Sequence, residues 1–304
     1  MEANGFKFIK TNLGFWGVLE IDAGKNSKVN TTSCELRAMI KIDFLGTGNA
    51  FLPHGRLHSL VLIDSHILVD TPLTVLASLR EANISPHNID TIFFTHMHAD
   101  HTFGFPSFLI ERKYISDRTA KNVLNIHHSK NAKLHLQKIC DLAYPKSLND
   151  RLESNTIWNE KSEGKIKANQ NWEFERFEVC HDPDSEPHGY LFKNKSENFT
   201  IMHTGDSGPC EEIESRIPLC DVVIIEMGVP SHVNSPHHYN PNTLEKLSRE
   251  YPGVTFLVTH HFADSPDSKN GPLVSNILPQ MPSNVIQPSD YDSFIWENGK
   301  LRIA

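Results

Sequence analysis

A chain of 304 residues is long enough to bury one large core or two small ones. Its 38% hydrophobic and 22% charged content fits a globular protein, and no apolar run approaches the roughly 18 residues of a membrane span, so no membrane partner is expected. The formal net charge of −8 disfavours a nucleic-acid partner, because neutralising phosphates calls for basic surfaces.

The N-terminal "MEANGFKFIK" lacks the basic start and apolar core of a secretory signal. The five cysteines, Cys34, Cys140, Cys180, Cys210 and Cys220, form no C-x-x-C pair. Both features predict a cytoplasmic protein with reduced thiols, although Cys180 stands beside a histidine of interest. Residues 1–38 read as a separate N-terminal extension, either an added strand pair or a loose segment. The main domain is expected at 39–304, opening with the strand-like "MIKIDFLGTGNAF".

From there strands and helices alternate. "SLVLIDSHILVD" reads as two short strands around Asp64 and Ser65, and Thr71-Pro72 opens a helix carrying Leu73, Leu76 and Leu79. "TIFFT" is a buried strand, "SFLIERKYI" a helix, and residues 131–142 a further helix. Residues 146–171 are polar and turn-rich and read as a long loop or a small irregular insertion, with hairpins as the alternative, able to cap a pocket. Strands follow at "FERFEV", "GYLF", "FTIMHTGD", "DVVIIEMG" and "TFLVTHH", and closing strands at "DSFIW" and "KLRI". In "NPNTLEKLSREYPG" the expected helix cap is Asn242, with Glu245 three residues on. Strands alternating with helices predict a layered α/β fold.

The chemistry concentrates in "HMHADH", where His96, His98, Asp100 and His101 follow a buried strand within six residues. Side chains leaving a strand end point in different directions, so a tight loop can turn them toward two nearby points. Imidazoles and a carboxylate suit Zn²⁺, and manganese or iron would accept the same mixed set.

This H-x-H-x-D-H pattern resembles the hallmark of the metallo-β-lactamase-fold hydrolases, and further landmarks of that family follow in order over residues 39–304. The resemblance implies a four-layer αβ/βα sandwich and two divalent cations. His96, His98 and His181 would hold one; Asp100, His101 and His260 the other; Asp206 of "HTGDSGP" would bridge them. Asp70 of "ILVDTP" would stand behind the cluster and fix a histidine tautomer. His181 is preferred to His188 because Gly189-Tyr190 follows it at the family's distance, and His260 to His261 because the family's strand ends Thr-His. His203 is expected to face the other side of its strand, and His127 and His128 to carry no function.

"FLGTGNAFLPHGRLHSLVL" and "HMHADHTFGFPSFL" are similar to ribonuclease Z and related cyclic-nucleotide phosphodiesterases. "EMGVPSHVNSPHHYNPNTLEKL" resembles the stretch where those enzymes place an acid and then a histidine that serves the leaving oxygen. Here these are Glu226 and His238, with His237 as the rival. The implied activity is a binuclear, metal-dependent phosphodiesterase acting on a small or cyclic phosphodiester through a metal-bridging hydroxide, with Asp100 in the catalytic set and, by analogy, a homodimer. Ribonuclease Z carries a long tRNA-gripping arm between the third histidine and the bridging aspartate. His181 and Asp206 are only 25 positions apart, which leaves no room for one. The rivals are a lactonase or thioesterase of the same fold, a ribonuclease Z-like RNA endonuclease without the arm, a flavin-partnered di-iron oxidoreductase, and a degenerate binding protein. No G-x-S-x-G elbow or P-loop competes.

Overall fold

A computed structural model describes residues 39–120, 122–262 and 278–304, together with the backbone of two strands, β1 (Gly5–Lys10) and β2 (Trp16–Ile21). These two pair antiparallel, with Gly5 opposite Ile21. The rest of the extension, including Cys34, lies outside the described residues. By internal contacts the chain divides into Met1–Arg37 and Ala38–Ala304.

Within the larger unit the strands are β3 (Ile40–Gly46), β4 (Leu60–Ile63), β5 (Ile67–Val69), β6 (Thr91–Phe93), β7 (Leu124–His127), β8 (Thr156–Asn159), β9 (Glu163–Lys165), β10 (Trp172–Glu178), β11 (His188–Asn194), β12 (Phe199–His203), β13 (Val222–Glu226), β14 (Thr255–Thr259), β15 (Val285–Ile286), β16 (Ser293–Glu297) and β17 (Lys300–Ile303). They form an eight-stranded sheet ordered β17-β16-β3-β4-β5-β6-β7-β8 and a seven-stranded sheet ordered β15-β14-β13-β12-β11-β10-β9. Pairing is parallel from β5 to β8 and from β12 to β15.

The period of two along each strand sorts side chains into layers. In β4, Val61 and Ile63 turn to the inter-sheet core, where they join Phe93, Tyr190, Phe192, Val222 and Ile224. Leu60 and Leu62 face the other way. They meet α1 (Val75–Glu81), α3 (Phe105–Glu111), α4 (Ala132–Ala143) and α5 (Asn149–Ser154) through Leu79, Phe108, Leu136 and Leu152. A single turn, α2 (Ala99–Thr102), precedes α3. On the far side, Val223 and Ile225 of β13 pack on Ile213 of α6 (Glu211–Glu214) and on Leu244 and Leu247 of α7 (Pro241–Glu250). Helices, sheet, sheet and helices make the four-layer αβ/βα sandwich.

Two sequence expectations fail locally. Asn240, not Asn242, caps α7: its side chain accepts from the Thr243 backbone N–H at 2.9 Å, and its own N–H donates to Thr243 Oγ1 at 3.0 Å, with Pro241 at the first helical position. Asn242 already lies inside the helix and donates to the Ser231 carbonyl. The polar stretch 146–171 is not irregular. It supplies α5 and one edge strand of each sheet, β8 and β9, and so forms the crossover between sheets. An edge strand exposes one side to water, which permits the polar composition that reads as loop.

Candidate metal centre

The expected donors leave the C-terminal ends of strands in both sheets, the rim where open α/β sheets place ligands. β6 runs on to Phe94 and Thr95 and releases His96, His98, Asp100 and His101 into the loop and α2. β10 leads to His181, β12 to Asp206 through the left-handed Gly205 (φ 62°), and β14 to His260, itself at φ 49°. α2 stays close to the Asp70 loop because Gly104 carries no side chain: a Cβ there would lie 1.9 Å from the Pro72 carbonyl oxygen.

Three sets of donor atoms converge: His96 with His98 and His181, His96 with His101 and Asp206, and Asp100 with His101 and His260, the atoms of each set within 4.8 Å of one another. Asp206 Oδ2 lies 3.8 Å from His96 Nε2, 3.5 Å from His101 Nε2 and 3.2 Å from His260 Nε2. Asp100 Oδ2 is 3.3 Å from His260 Nε2 and 3.4 Å from His101 Nε2.

The outer hydrogen bonds fix the tautomers, as inferred from their partners. Asp70 can only accept, and it accepts from the Thr95 N–H (2.8 Å), the Thr95 hydroxyl (2.7 Å) and His101 Nδ1 (2.8 Å). His101 Nε2 is therefore the nitrogen turned to the donor cluster, and it is buried with no hydrogen-bond partner. Thr95 gives its one hydroxyl proton to Asp70, so it accepts from His96 Nδ1 at 3.0 Å. His181 Nδ1 donates to the His237 carbonyl at 3.0 Å, and His98 Nε2 donates to Asp182 at 3.2 Å.

These assignments leave His96 Nε2, His98 Nδ1 and His181 Nε2 facing one another as three lone pairs. His98 Nδ1 stands 3.1 Å from His96 Nε2 and 3.2 Å from His181 Nε2. Lone pairs at that distance repel unless a cation sits among them. Tetrahedral ligation at about 2.0–2.1 Å would set the nitrogens roughly 3.3 Å apart. The donor set fits a divalent metal.

Electrostatics agree. Burial pushes His101 down, but Asp206, Asp100 and Asp70 carry it well above its ordinary value, so this spot demands positive charge. Burial and His101 push His96 well below its ordinary value, keeping it neutral as ligation requires.

Beside the donors, the fully buried Glu226 ends β13 and accepts from His238 Nδ1 at 2.7 Å. It also accepts from the backbone N–H groups of Ser207 (3.2 Å) and Gly228. Burial pushes the Glu226 carboxyl up. His238 is lowered by its own burial, yet the hydrogen bond and charge of Glu226 draw it up to about 9. Near neutral pH the proton belongs to the imidazole. The His238 ring lies 4.9 Å from the His181 ring and 6.0 Å from the His260 ring.

The rival histidines make other contacts. His188 Nδ1 donates to the Glu186 carbonyl at 2.7 Å, and the backbone of His261 bonds to Thr47 and Asn49. His237 contributes its carbonyl to His181. His203 Nδ1 accepts the Gly205 N–H at 3.1 Å. His127 stacks on Phe93 with ring centroids 4.2 Å apart, and His128 bonds the Ser129 carbonyl. Thr95 and Asp182 were absent from the sequence candidates. Only their adjacency to His96 and His181 could have flagged them.

A family described as "Anti-Pycsar protein Apyc1" matches residues 40–273. The chain belongs to this family. Beyond it, the chain is similar to ribonuclease Z of Pyrobaculum calidifontis, 22% identical over 294 residues that cover 84% of this chain and 98% of that one. Among solved structures, the short form of human tRNase Z superposes with a TM-score of 0.62 at 16% identity, covering 83% of this chain and 98% of that one. Unliganded yeast PDE1 gives a TM-score of 0.56 at 16% identity, covering 78% and 91%. The fold is that of the metallo-β-lactamase-like hydrolases, and the sequence relatives are named ribonuclease Z. Among the described residues no helix is long and apolar enough to cross a membrane.

Proposed function

We propose that this chain is a divalent-metal-dependent phosphodiesterase that opens a small or cyclic phosphodiester. The observation that carries the reading is the pair of half-buried His238 and buried Glu226 set against the rim of unpaired histidine nitrogens. His96, His98 and His181 would hold one cation; Asp100, His101 and His260 a second; Asp206 would reach both. Zn²⁺ suits the ligands, and Mn²⁺ or iron would also be accepted. Bound there, such ions supply Lewis-acid polarisation of a phosphoryl oxygen and acidify water near neutral pH.

The chain's own residues do the rest. Asp70, directly and through the Thr95 hydroxyl, holds the imidazoles of His101 and His96 with their lone pairs inward. Glu226 fixes His238 by Nδ1, which leaves Nε2–H to give a proton to the departing oxygen. Positioned acid help of this kind is worth roughly 10²–10⁴-fold.

Size and charge favour a small substrate. A cavity of about 470 Å³ adjoins His181, lined among others by Lys130, Asn131, Arg176 and His188, and none of residues 146–171 lines it. Between His181 and Asp206 run only a short turn and the hairpin of β11 and β12, without an arm for RNA. The curated relatives named ribonuclease Z keep RNA cleavage as the second reading. A cytoplasmic location and a homodimer complete the proposal; gel filtration with light scattering tests the dimer.

The deciding experiment loads purified protein with Zn²⁺ or Mn²⁺ and assays bis-p-nitrophenyl phosphate, cyclic nucleotides, lactones and a tRNA precursor in parallel. Phosphodiester turnover that Asp206→Ala abolishes is expected. Turnover of lactones alone would remove the reading, and turnover of the tRNA precursor alone would select the second one.

A further inference from the structure

Outside the metal-centre donors, one pair of reactive side chains stands too close to be bystanders. Cys180, at the end of the segment leaving β10, is exposed; Cys210, which opens α6, is buried. Their Sγ atoms are 2.8 Å apart. That is shorter than the roughly 3.5–4.0 Å optimum between carbon atoms, which are smaller than sulfur. Two thiolates sharing one Zn²⁺ at about 2.3 Å each would stand roughly 3.8 Å apart, whereas a disulfide needs about 2.05 Å. The separation favours a bond between the sulfurs over a shared cation. The backbones are already tied: the Cys180 N–H donates to Ser207 Oγ at 3.1 Å, and the Gly208 N–H donates to the Cys180 carbonyl at 2.8 Å. Glu212 Oε2 accepts from the Cys210 thiol at 2.9 Å.

We infer that Cys180 and Cys210 form a thiol–disulfide exchange site whose co-reactant is a low-molecular-weight disulfide. The exposed Cys180 attacks one sulfur of the small disulfide, whose S–S bond breaks and releases one thiol. The Cys210 sulfur then attacks Cys180 Sγ, and its proton goes to the departing small thiolate. The second small thiol leaves, and a Cys180–Cys210 bond remains. The protein loses two hydrogens and the co-reactant gains them. The bond closes a loop spanning 30 positions that holds both His181 and Asp206, so oxidation pins those two donors. The inference stands on the sulfurs and does not require the hydrolase reading.

The test treats the full-length reduced chain with oxidised glutathione, blocks free thiols by alkylation and maps the peptides by mass spectrometry. The expected product is a Cys180–Cys210 cross-linked peptide free of glutathione and reversed by dithiothreitol. Cys210→Ala should stop at a glutathione adduct on Cys180. A wild-type chain that keeps glutathione on Cys180, leaves both thiols alkylatable, or joins Cys180 to Cys34 would overturn the assignment. So would stoichiometric zinc binding that Cys210→Ala removes. The wild-type map decides by itself should the variant fail to fold.

Discussion

Replacing Asp70 by Asn tests whether the tautomers at the rim come from where the lone pairs must point. Asp70 sits at φ 66°, a conformation Asn tolerates as well as Asp, so the backbone has no reason to move. All three of its partners are donors: the Thr95 N–H, the Thr95 hydroxyl and His101 Nδ1–H. An amide offers one accepting oxygen and one NH₂. If the NH₂ faces the Thr95 N–H, two donors collide. If it faces His101, the imidazole must flip its proton to Nε2, into the donor cluster. The first outcome costs about 1–3 kcal/mol of stability for an unmet buried donor, or about 2–4 °C in Tm per kcal/mol for a domain of this size. The second blocks a ligand nitrogen and should weaken metal binding roughly 10–100-fold, equivalent to about 1.4–2.7 kcal/mol. Titration of the metal-loaded variant with a competing chelator at fixed pH measures the second, and thermal unfolding of the metal-free form measures the first. Affinity and Tm both equal to wild type would refute the account of how the ligands are oriented.

Other expectations follow from the same geometry. Glu226→Gln or His238→Asn should lower turnover roughly 10²–10⁴-fold with metal content unchanged; a parallel loss of metal would reassign the pair as ligands. Because His238 is drawn up to about 9 and must give its proton, turnover should fall as pH rises toward that value, and sooner with cations bound. His66 is lowered by burial but raised by Asp64 and Asp90 to about 9. Its unfolded value is near 6.5, so its contribution, on the order of 2–3 kcal/mol, is complete below 6.5 and lost as pH climbs through 9. Urea unfolding of wild type and His66→Gln at pH 6 and pH 9.5 should show the gap closing at the higher pH. Gly104→Ala should cost about 1–3 kcal/mol through overpacking against Pro72 and displace α2; unchanged Tm and metal content would contradict the close contact.

What could be read beforehand was whatever is local in sequence. The two short apolar runs of "SLVLIDSHILVD", broken at Asp64 and Ser65, give β4 and β5, because a run bounded by turn residues needs no distant partner to be visible. "HMHADH" announces four polar ligand-type groups because six residues contain them all. The residues that orient those groups are another matter. Asp182 lies 84 positions from His98 and Thr95 lies 25 from Asp70, so only folding brings them together. The backbone carbonyl of His237, to which His181 donates, carries no sequence signal at all. Edge strands β8 and β9 escaped because exposure on one side relaxes the demand for apolar residues. The cap of α7 slipped by two positions because Asn240 and Asn242 offer the same chemistry, and Pro241 decides between them by taking the first helical position.

The rim donors come from both sheets: His96, His98, Asp100 and His101 follow a strand of one, while His181, Asp206 and His260 follow strands of the other. The Tyr190 hydroxyl, donating to the Phe94 carbonyl at 2.7 Å, bridges the two layers directly beneath. Ions bound at the rim would thus rivet one slab to the other, and any sliding of the slabs would pull the ligands out of range before a single strand unravels. Metal release should accordingly track shear of the sandwich, which makes chelator-accessible metal a gauge of its integrity.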